Sequence, residues 1–465
     1  MWFRADLRVA DNPALHAACR ADEVVAIYCL APLQWDQHDI SMAQRSLISR
    51  QLYALERELD ALNIPLIVLD CETFKDAKAK IVRCVSELNG DAVFFNAQYE
   101  LNEERMSRDL QFDLQSQGCA VHQFHDQCLL QPGEVVTAQQ TVPKVFSAFK
   151  RRYLADFYQL ARALVPKPSP RQAIELASDL TCLEALDLAT PYDELYPAGE
   201  SEAFERLERF CGSHIKYYKR DRDHPARSGT SALSPYLAVG VISSAQCLYF
   251  VLESEERAIE SLNEGAQTWF SELIWRDFYR HILWSRPDLC RHKPFKKETD
   301  ALPWSSDEQA FTAWKEGKTG YPLVDAAMRQ LKETAWMHNR LRMVVAMFLT
   351  KHLNIDWRLG EAYFMSMLVD ADFASNNGGW QWSASTGVDA VPYFRIFNPI
   401  RQSERFDESG EFIRTFVPEL RGISDKTIHN PRIEQRAHFA YPEVMVDHAQ
   451  ATANTKAMFK ALSSA

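Results

Sequence analysis

The chain has 465 residues, 46% hydrophobic and 25% charged, a composition that excludes wholesale disorder at a length that implies two domains. Its net charge of -11 excludes a general nucleic-acid coat, which needs many basic side chains, but leaves room for a local basic patch. No apolar run reaches the length of a membrane span, and the 10 cysteines, without a C-x-x-C pair, fit free thiols in a reducing cytosol.

In chain order, MWFRADLRVADN carries charge from its fourth residue and lacks an apolar core, so it does not read as a signal peptide. The first strand-like run begins almost at Met1, which implies either a shortened edge of the sheet there or a misassigned start. VVAIYCL (24–30), IPLIVLD (64–70) and DAVFFNAQY (91–99) are apolar runs suited to strands covered on both faces. Between the first two, Leu47, Leu52, Leu55, Leu59 and Leu62 form a helical stripe. That alternation predicts a parallel, Rossmann-like α/β sheet over residues 1–126, although no G-x-G-x-x-G offers a dinucleotide site of the Rossmann type. His122, His125 and Cys128 have ligand-like spacing, but zinc needs a fourth partner and none is evident, so no metal is expected.

From 127 to 198 the pattern decays into Pro-rich and polar stretches, which predicts a long surface connection. From 199 to 465 helical periodicity dominates, predicting an all-α part until near residue 390, where PYFRIFNP brings turns. EGKTGYP lacks the P-loop glycine, since Thr312 stands there, and reads as a helix-ending turn. Arginines cluster at 220, 222 and 227, at 340 and 342, and at 395, 401 and 405; each cluster alone reads as solvated Arg paired with nearby acids. In WFSELIWRDFYRH (269–281), Glu272, Trp275, Arg276 and Tyr279 share one helical stripe, and a charge inside an aromatic stripe needs an answer such as a polar ligand. In NNGGWQWSASTG, Trp380 and Trp382 lie roughly 200° apart around a helix, so they meet two different surroundings.

WFRADLR, GTSALS (229–234), WFSELIWRDFYRH, EGKTGYPLVDAAMRQL, WMHNRLRM, DWRLGEAYFMSMLVDADFASNNGGWQWSASTG and PYFRIFNP together resemble the photolyase/cryptochrome family, in particular its bacterial class I cyclobutane pyrimidine dimer photolyases. The resemblance covers nearly the whole chain and is densest from 215 to 415. It implies an N-terminal α/β antenna domain, a connection, and a helical domain holding FAD in a U shape, active as FADH⁻. It implies light-driven repair of UV-damaged DNA by a cytoplasmic, nucleoid-associated bacterial monomer with no membrane association.

Residue by residue, the resemblance implies that Tyr218 and Thr230, Ser231, Ala232, Leu233 and Ser234 hold the FAD phosphates. Ala232 departs from the pattern, because relatives commonly have Arg there. Trp269, Arg276, Asp370, Ala371 and Asp372 match further flavin contacts, and Asn376 matches the residue facing flavin N5. Trp380, Trp357 and Trp304 match an electron-hopping chain that runs from the flavin outward. Trp275 and Trp382 match aromatic walls for a flipped lesion, lined by Met343 and Tyr279. Glu272 matches the group that hydrogen-bonds a thymine carbonyl, and Asn339 and Arg340 match contacts to the lesion and its backbone. His38, Asn102, Glu103, Lys144, Cys290 and Arg291 match an antenna site, first for methenyltetrahydrofolate, with deazaflavin or no antenna left open. Three alternatives fit less well. A (6-4) photolyase would carry His where Asn339 stands, a DASH-type cryptochrome would alter Trp275 or Trp382, and a blue-light receptor would often add a C-terminal extension.

Overall fold

A computed structural model of the chain describes residues 1–186 and 188–462; position 187 of the expected connection and 463–465 of the expected helical part lie outside the described residues. Two compact units emerge. The first combines Met1–Ile215, Ser231–Cys290 and Val369–Ala374; the second combines Lys216–Thr230, Arg291–Leu368 and Ser375–Ala465.

The first unit is built on a five-stranded parallel sheet: β1 (Trp2–Phe3), β2 (Ala26–Leu30), β3 (Leu66–Asp70), β4 (Ala92–Asn96) and β5 (Ala120–Phe124), in the order β3-β2-β1-β4-β5. The three apolar runs become β2, β3 and β4, and Leu47, Leu52, Leu55 and Leu59 of the stripe fall on the Met42–Asp60 helix, with Leu62 just past its end. Ser41 caps that helix by accepting from the Gln44 N–H at 3.0 Å. β1 is not a shortened edge, as the sequence implied, but the central strand. It pairs with β2 through Trp2↔Ile27 and Phe3↔Tyr28, and with β4 through Trp2↔Phe95. Chain order says nothing about which strand ends up in the middle, and here the order reverses on either side of β1.

The connection also departs from expectation. It contains the Phe146–Leu160 helix, whose Phe149, Tyr153 and Phe157 are buried. Further on, Asp179 extends the β3 edge: its N–H donates to Leu66 O and its carbonyl accepts from Val68 N–H, both at 2.8 Å. Those bonds cover an edge that would otherwise expose unpaired backbone groups. Gly240, with φ +75°, ends the Ser234–Val239 helix where any Cβ would lie 2.1 Å from Ala5 O, so only glycine fits.

The described part of the second unit is helical, apart from an isolated Ser305↔Ile355 bridge. PYFRIFNP does bring a turn, but helices resume at Pro399–Phe406 and continue to His448–Leu462. EGKTGYP ends the Glu308–Glu316 helix with Gly317 in the left-handed conformation.

His281 lies fully buried on the Glu264–Ser285 helix, facing Leu130 O at 3.1 Å, and burial holds its pKa down at about 4. The unfolded chain therefore takes up this proton first, and the stability tied to neutral His281 is lost as pH falls from roughly 6.5 through the folded value. His281→Gln, which keeps a donor for Leu130, should flatten the stability–pH curve in that window. Denaturant unfolding at pH 7 and pH 4 should give a variant-minus-wild-type difference on the order of 3 kcal/mol between the two pH values.

Candidate functional site

The Glu264–Ser285 helix carries the densest group of expected site residues in the first unit. Asn263 caps it by accepting from the Ala266 N–H at 3.0 Å. Its other faces bury Trp269, Phe270, Leu273, Ile274 and Phe278, which fixes the orientation of the stripe Glu272, Trp275, Arg276 and Tyr279. The Arg276 charge in that stripe is met in part by backbone carbonyls and a hydroxyl. Arg276 donates to the backbone carbonyls of Gln127 and Leu237 and to Ser244 Oγ, the last two at 3.0 and 3.1 Å. Asp277, fully buried, accepts through one oxygen from the Leu129 and Leu130 N–H groups at 2.9 and 3.4 Å and from Tyr153 OH at 2.8 Å. Burial raises its pKa to about 6, against the pull of those hydrogen bonds and of Arg276 and Arg280.

Trp275 is half-buried and has a partner that sequence reasoning missed. Phe146 stacks on it with ring centroids 3.5 Å apart and planes 6° from parallel. Phe278 meets Trp275 edge-on, and Tyr279 is tilted beside it at 5.7 Å. Lys150, one turn beyond Phe146, donates to Ser271 Oγ at 2.6 Å and feels the charge of Glu272.

Elsewhere in the first unit, Trp269 Nε1 donates to Ser231 Oγ at 3.3 Å, joining two of the expected flavin contacts. Ala232 adopts φ +50°, a left-handed conformation uncommon for a side-chain-bearing residue, and Leu233 leads into the Ser234–Val239 helix without a side-chain cap. Ala371 O accepts from Gln44 Nε2 at 2.8 Å, and Asp370 is buried. Asp372 pairs with buried Arg280, whose Nε and Nη1 find no acceptor in the protein. Uncapped N–H groups and orphaned guanidinium donors fit an anionic, carbonyl-rich group such as a flavin dinucleotide.

In the second unit, Tyr218 is buried beneath the Arg222 guanidinium, 5.4 Å from its ring centre, and Thr230 closes the same segment. Gly229 lets this segment fold tightly, since a Cβ there would lie 2.8 Å from Asp221 Cβ. Asn376 lies on the Phe373–Ala384 helix, and its amide nitrogen donates to Glu361 O at 3.0 Å. One of its two amide N–H donors is so used, which leaves the second N–H and the side-chain oxygen to meet a ligand. Neighbouring Asn377 donates to Glu361 Oε1 at 2.8 Å and accepts from Gln381 Nε2 at 2.9 Å.

Trp380 and Trp382 do meet different surroundings. Trp380 is buried against Trp314 and Phe364 with ring centroids 6.1 and 5.0 Å away, whereas Trp382 stays half-buried. The other tryptophans of the expected chain follow from Trp380 by steps visible in the backbone. A Cβ on Gly360 would lie 2.1 Å from Trp380 Cη2, so the indole rests directly on that glycine. Trp357, buried, starts the same Trp357–Met367 helix one turn earlier. Two residues before it, Ile355 bridges to Ser305, directly after Trp304. Trp304 is half-buried, with its Nε1 unpartnered, while Arg358 sits 4.9 Å over Trp357.

The WMHNRLRM motif forms the start of the Asn339–Lys351 helix. His338 caps it, its Nδ1 accepting from the Arg340 N–H at 3.2 Å, and burial lowers the His338 pKa to about 4. Asn339 is exposed and Met343 half-buried; Arg340 pairs with Asp223 at 2.7 Å and lies over Phe406 at 4.5 Å. The 220–227 cluster is likewise paired, Arg220 and Arg227 both gripping Asp221 and holding its pKa at about 2.

Of the expected antenna residues, His38, Asn102, Glu103 and Cys290 come together beyond the carboxyl ends of the strands. His38 follows β2 and Asn102 and Glu103 follow β4, flanking the point where strand order reverses, where open α/β sheets bind ligands. His38 Nε2 lies 3.0 Å from Asn102 Nδ2, and its Nδ1 lies 3.4 Å from Glu103 Oε1. Burial lowers the His38 pKa, so this contact involves a neutral imidazole rather than an ion pair. Glu100, beside them, has its pKa raised to about 7 by burial and then by the Glu103 charge. The Leu101 N–H donates to Cys290 Sγ at 3.4 Å. Lys144 lies on an exposed segment of the first unit, and Arg291 opens a segment of the second. Among the ligand-like trio, His122 stacks on Phe94, His125 hydrogen-bonds Tyr99 OH and Cys128 is buried; no metal-holding cluster occurs among the described residues.

The residues that sequence reasoning missed are Phe146, Gly360, Glu361 and Arg280. Gly360 alone left a signal, a glycine inside a strongly periodic helix, which marks close approach.

Known proteins were compared with this chain. Residues 1–171 match the model of "DNA photolyase", and residues 269–461 match that of the "FAD binding domain of DNA photolyase". A deoxyribodipyrimidine photo-lyase of Vibrio cholerae is 45% identical over 99% of this chain and 98% of its own length. One of Escherichia coli is 43% identical with the same coverage. The crystal structure of a bacterial class III photolyase from Agrobacterium tumefaciens superposes with a TM-score of 0.90 at 34% identity, covering 100% of this chain and 97% of that one.

The Gly360–Trp380 contact is testable without any ligand. Gly360→Ala should overpack the site and cost about 1–3 kcal/mol in denaturant unfolding, with a shift in tryptophan emission. Adding Trp380→Leu should recover part of that loss; failure to recover would mean that the ring does not rest on Gly360.

Proposed function

The chain belongs to the DNA photolyase family, and we propose that it uses light and a bound FAD to split cyclobutane pyrimidine dimers in DNA back to monomers. The observation that carries this reading is the tryptophan line of the second unit, Trp380 on Gly360, Trp357 one turn away and Trp304 beyond the bridge, built next to Asn376. When bound, reduced FAD supplies the chemistry: an electron lent to the dimer under light and taken back once the ring has opened.

The side chains bind, orient and exclude. Thr230, Ser231, Leu233, Ser234 and Tyr218 hold the phosphates by hydroxyl and backbone N–H groups, Ala232 adding no charge. Trp269, Arg276, Asp370, Ala371 and Asp372 complete the cradle. The Asn376 oxygen accepts a hydrogen bond and so suits a flavin nitrogen that carries a proton, as in the reduced form. A flipped dimer stacks on Trp275 and Trp382, against Met343 and Tyr279. Glu272 hydrogen-bonds a thymine carbonyl, while Asn339 and Arg340 contact the lesion and its backbone. Neutral His338 is spent as a helix cap, and Asn339 follows it, which favours this lesion over one needing an acidic histidine pair.

His38, Asn102, Glu103, Lys144, Cys290 and Arg291 hold a methenyltetrahydrofolate antenna. Residues 1–126 form the antenna domain, 127–198 the connection and 199–465 the flavin domain. No described helix is long and apolar enough to cross a membrane. The protein works as a monomer on the nucleoid in the cytoplasm.

Purified protein carrying about one FAD per chain should restore thymines in a dimer-containing oligonucleotide under near-UV or blue light, read by chromatography; no restoration by reduced holoprotein would overturn the reading. Trp275→Ala should weaken binding to dimer-containing DNA by about 1–3 kcal/mol and leave undamaged DNA unaffected. Equal loss on both would make Trp275 merely structural.

Trp304→Phe keeps bulk but removes the readily oxidised outer station. Photoreduction of oxidised holoprotein should slow markedly, while chemically reduced holoprotein splits dimers near the wild-type yield. Unchanged photoreduction would rule out Trp304 as the exit.

A further inference from the structure

The Phe146–Trp275 pair is unusual in its geometry. Carbon atoms reach their best contact near 3.5–4.0 Å. A centroid separation of 3.5 Å with planes 6° apart therefore leaves almost no lateral offset, so one ring lies squarely over the other. Aromatic side chains left to themselves prefer an offset or edge-on arrangement with centroids about 4.5–7 Å apart. The other aromatic neighbours of Trp275, Phe278 and Tyr279, keep to that range, at 5.5 and 5.7 Å.

The backbone enforces the overlay. Phe146 is the first residue of the Phe146–Leu160 helix, and the next turns of that helix are pinned to the Glu264–Ser285 helix. Phe149 packs against Phe278 and His281 with ring centroids 5.1 and 5.0 Å away. Lys150 donates to Ser271 Oγ at 2.6 Å, and Tyr153 OH donates to Asp277 at 2.8 Å. Trp275 nevertheless remains half-buried, with one face so covered.

We propose that Phe146 is a positioning residue for lesion recognition: it backs Trp275, holding the indole plane where a flipped pyrimidine stacks on the opposite face. The inference rests on the reading of Trp275 as a lesion wall. Two rings at this spacing continue the roughly 3.4 Å ladder of stacked bases, so a base laid on Trp275 becomes the third plane of one stack. An indole free to rock about its side-chain torsions would lose that entropy on binding; one already sandwiched loses little.

The test uses FAD-loaded, full-length protein and four variants: Phe146→Leu, Phe146→Trp, Trp275→Ala, and Phe146→Leu combined with Trp275→Ala. Binding to matched oligonucleotides with and without one thymine dimer is measured, with FAD content and melting temperature as controls. Phe146→Leu keeps apolar bulk but removes the plane. It should weaken dimer binding roughly 2- to 10-fold, as for a lost aromatic pair. Undamaged DNA, FAD content and splitting yield at saturating substrate should stay unchanged. Phe146→Trp should restore dimer binding, and Phe146→Leu should add nothing in the Trp275→Ala background. Wild-type dimer binding by Phe146→Leu alongside a loss in Trp275→Ala would overturn the proposal but leave Trp275 as the wall. Tighter dimer binding would also overturn it, because Phe146 would then be a plug occupying the lesion's own place. Unchanged dimer binding by Trp275→Ala would instead overturn the lesion-wall reading on which the proposal rests.

Discussion

The buried carboxylate of Asp277 holds the site-bearing part of the first unit together. One oxygen gathers the Leu129 and Leu130 N–H groups from the connection and the Tyr153 hydroxyl from the Phe146–Leu160 helix, while the residue itself belongs to the Glu264–Ser285 helix. Three chain segments distant in sequence thus meet at one charge. Leaving a carboxylate unpaired at such depth would be very costly, so the segments cannot separate cheaply. Everything the long helix presents, from Trp269 through Glu272 and Trp275 to Arg276, keeps its direction because that anchor fixes the helix. Arg276 repeats the device, binding carbonyls of Gln127 and Leu237.

The parts that follow local rules were legible in the sequence. Apolar β-branched runs became β2, β3 and β4, and the leucine stripe became a helix, because burial on two faces or one leaves a periodic trace. The unlike surroundings of Trp380 and Trp382 followed from helical angle alone. What failed was long-range. Nothing near Trp2 and Phe3 announces a central strand, since that depends on which partners come to lie alongside. The Phe146–Leu160 helix was hidden in a stretch judged by its prolines, although its apolar residues face the long helix across more than a hundred residues of sequence. Arg276 also binds the carbonyls of Gln127 and Leu237, far away in sequence, contacts that composition does not reveal.

Electrostatics divides the site by chemistry. The second unit keeps the histidine at the cap neutral, pairs exposed Arg220 and Arg227 with Asp221, and pairs half-buried Arg340 with Asp223. Near the strand ends of the first unit, burial instead raises the carboxyls of Glu100 and Glu103 and depresses His38. Glu100, at about 7, and His38, held below its usual value, both lean toward their neutral forms, a setting that suits hydrogen bonding to an uncharged heterocycle better than ion pairing.

The two-residue β1 gives the sheet a seam. β2 and β3 share five paired positions, as do β4 and β5, but each of these blades meets β1 through only one or two. Side chains do much of the stitching across the strand tips: Asn96 Nδ2 donates to Asp6 Oδ2 at 2.6 Å and to Asn12 Oδ1 at 2.8 Å. His38 hangs from one blade, and Asn102 and Glu103 from the other. Their contact across the strand tips therefore depends on the angle at which the blades meet, and that angle is fixed by three polar side chains, Asp6, Asn12 and Asn96, rather than by a long ladder of backbone bonds.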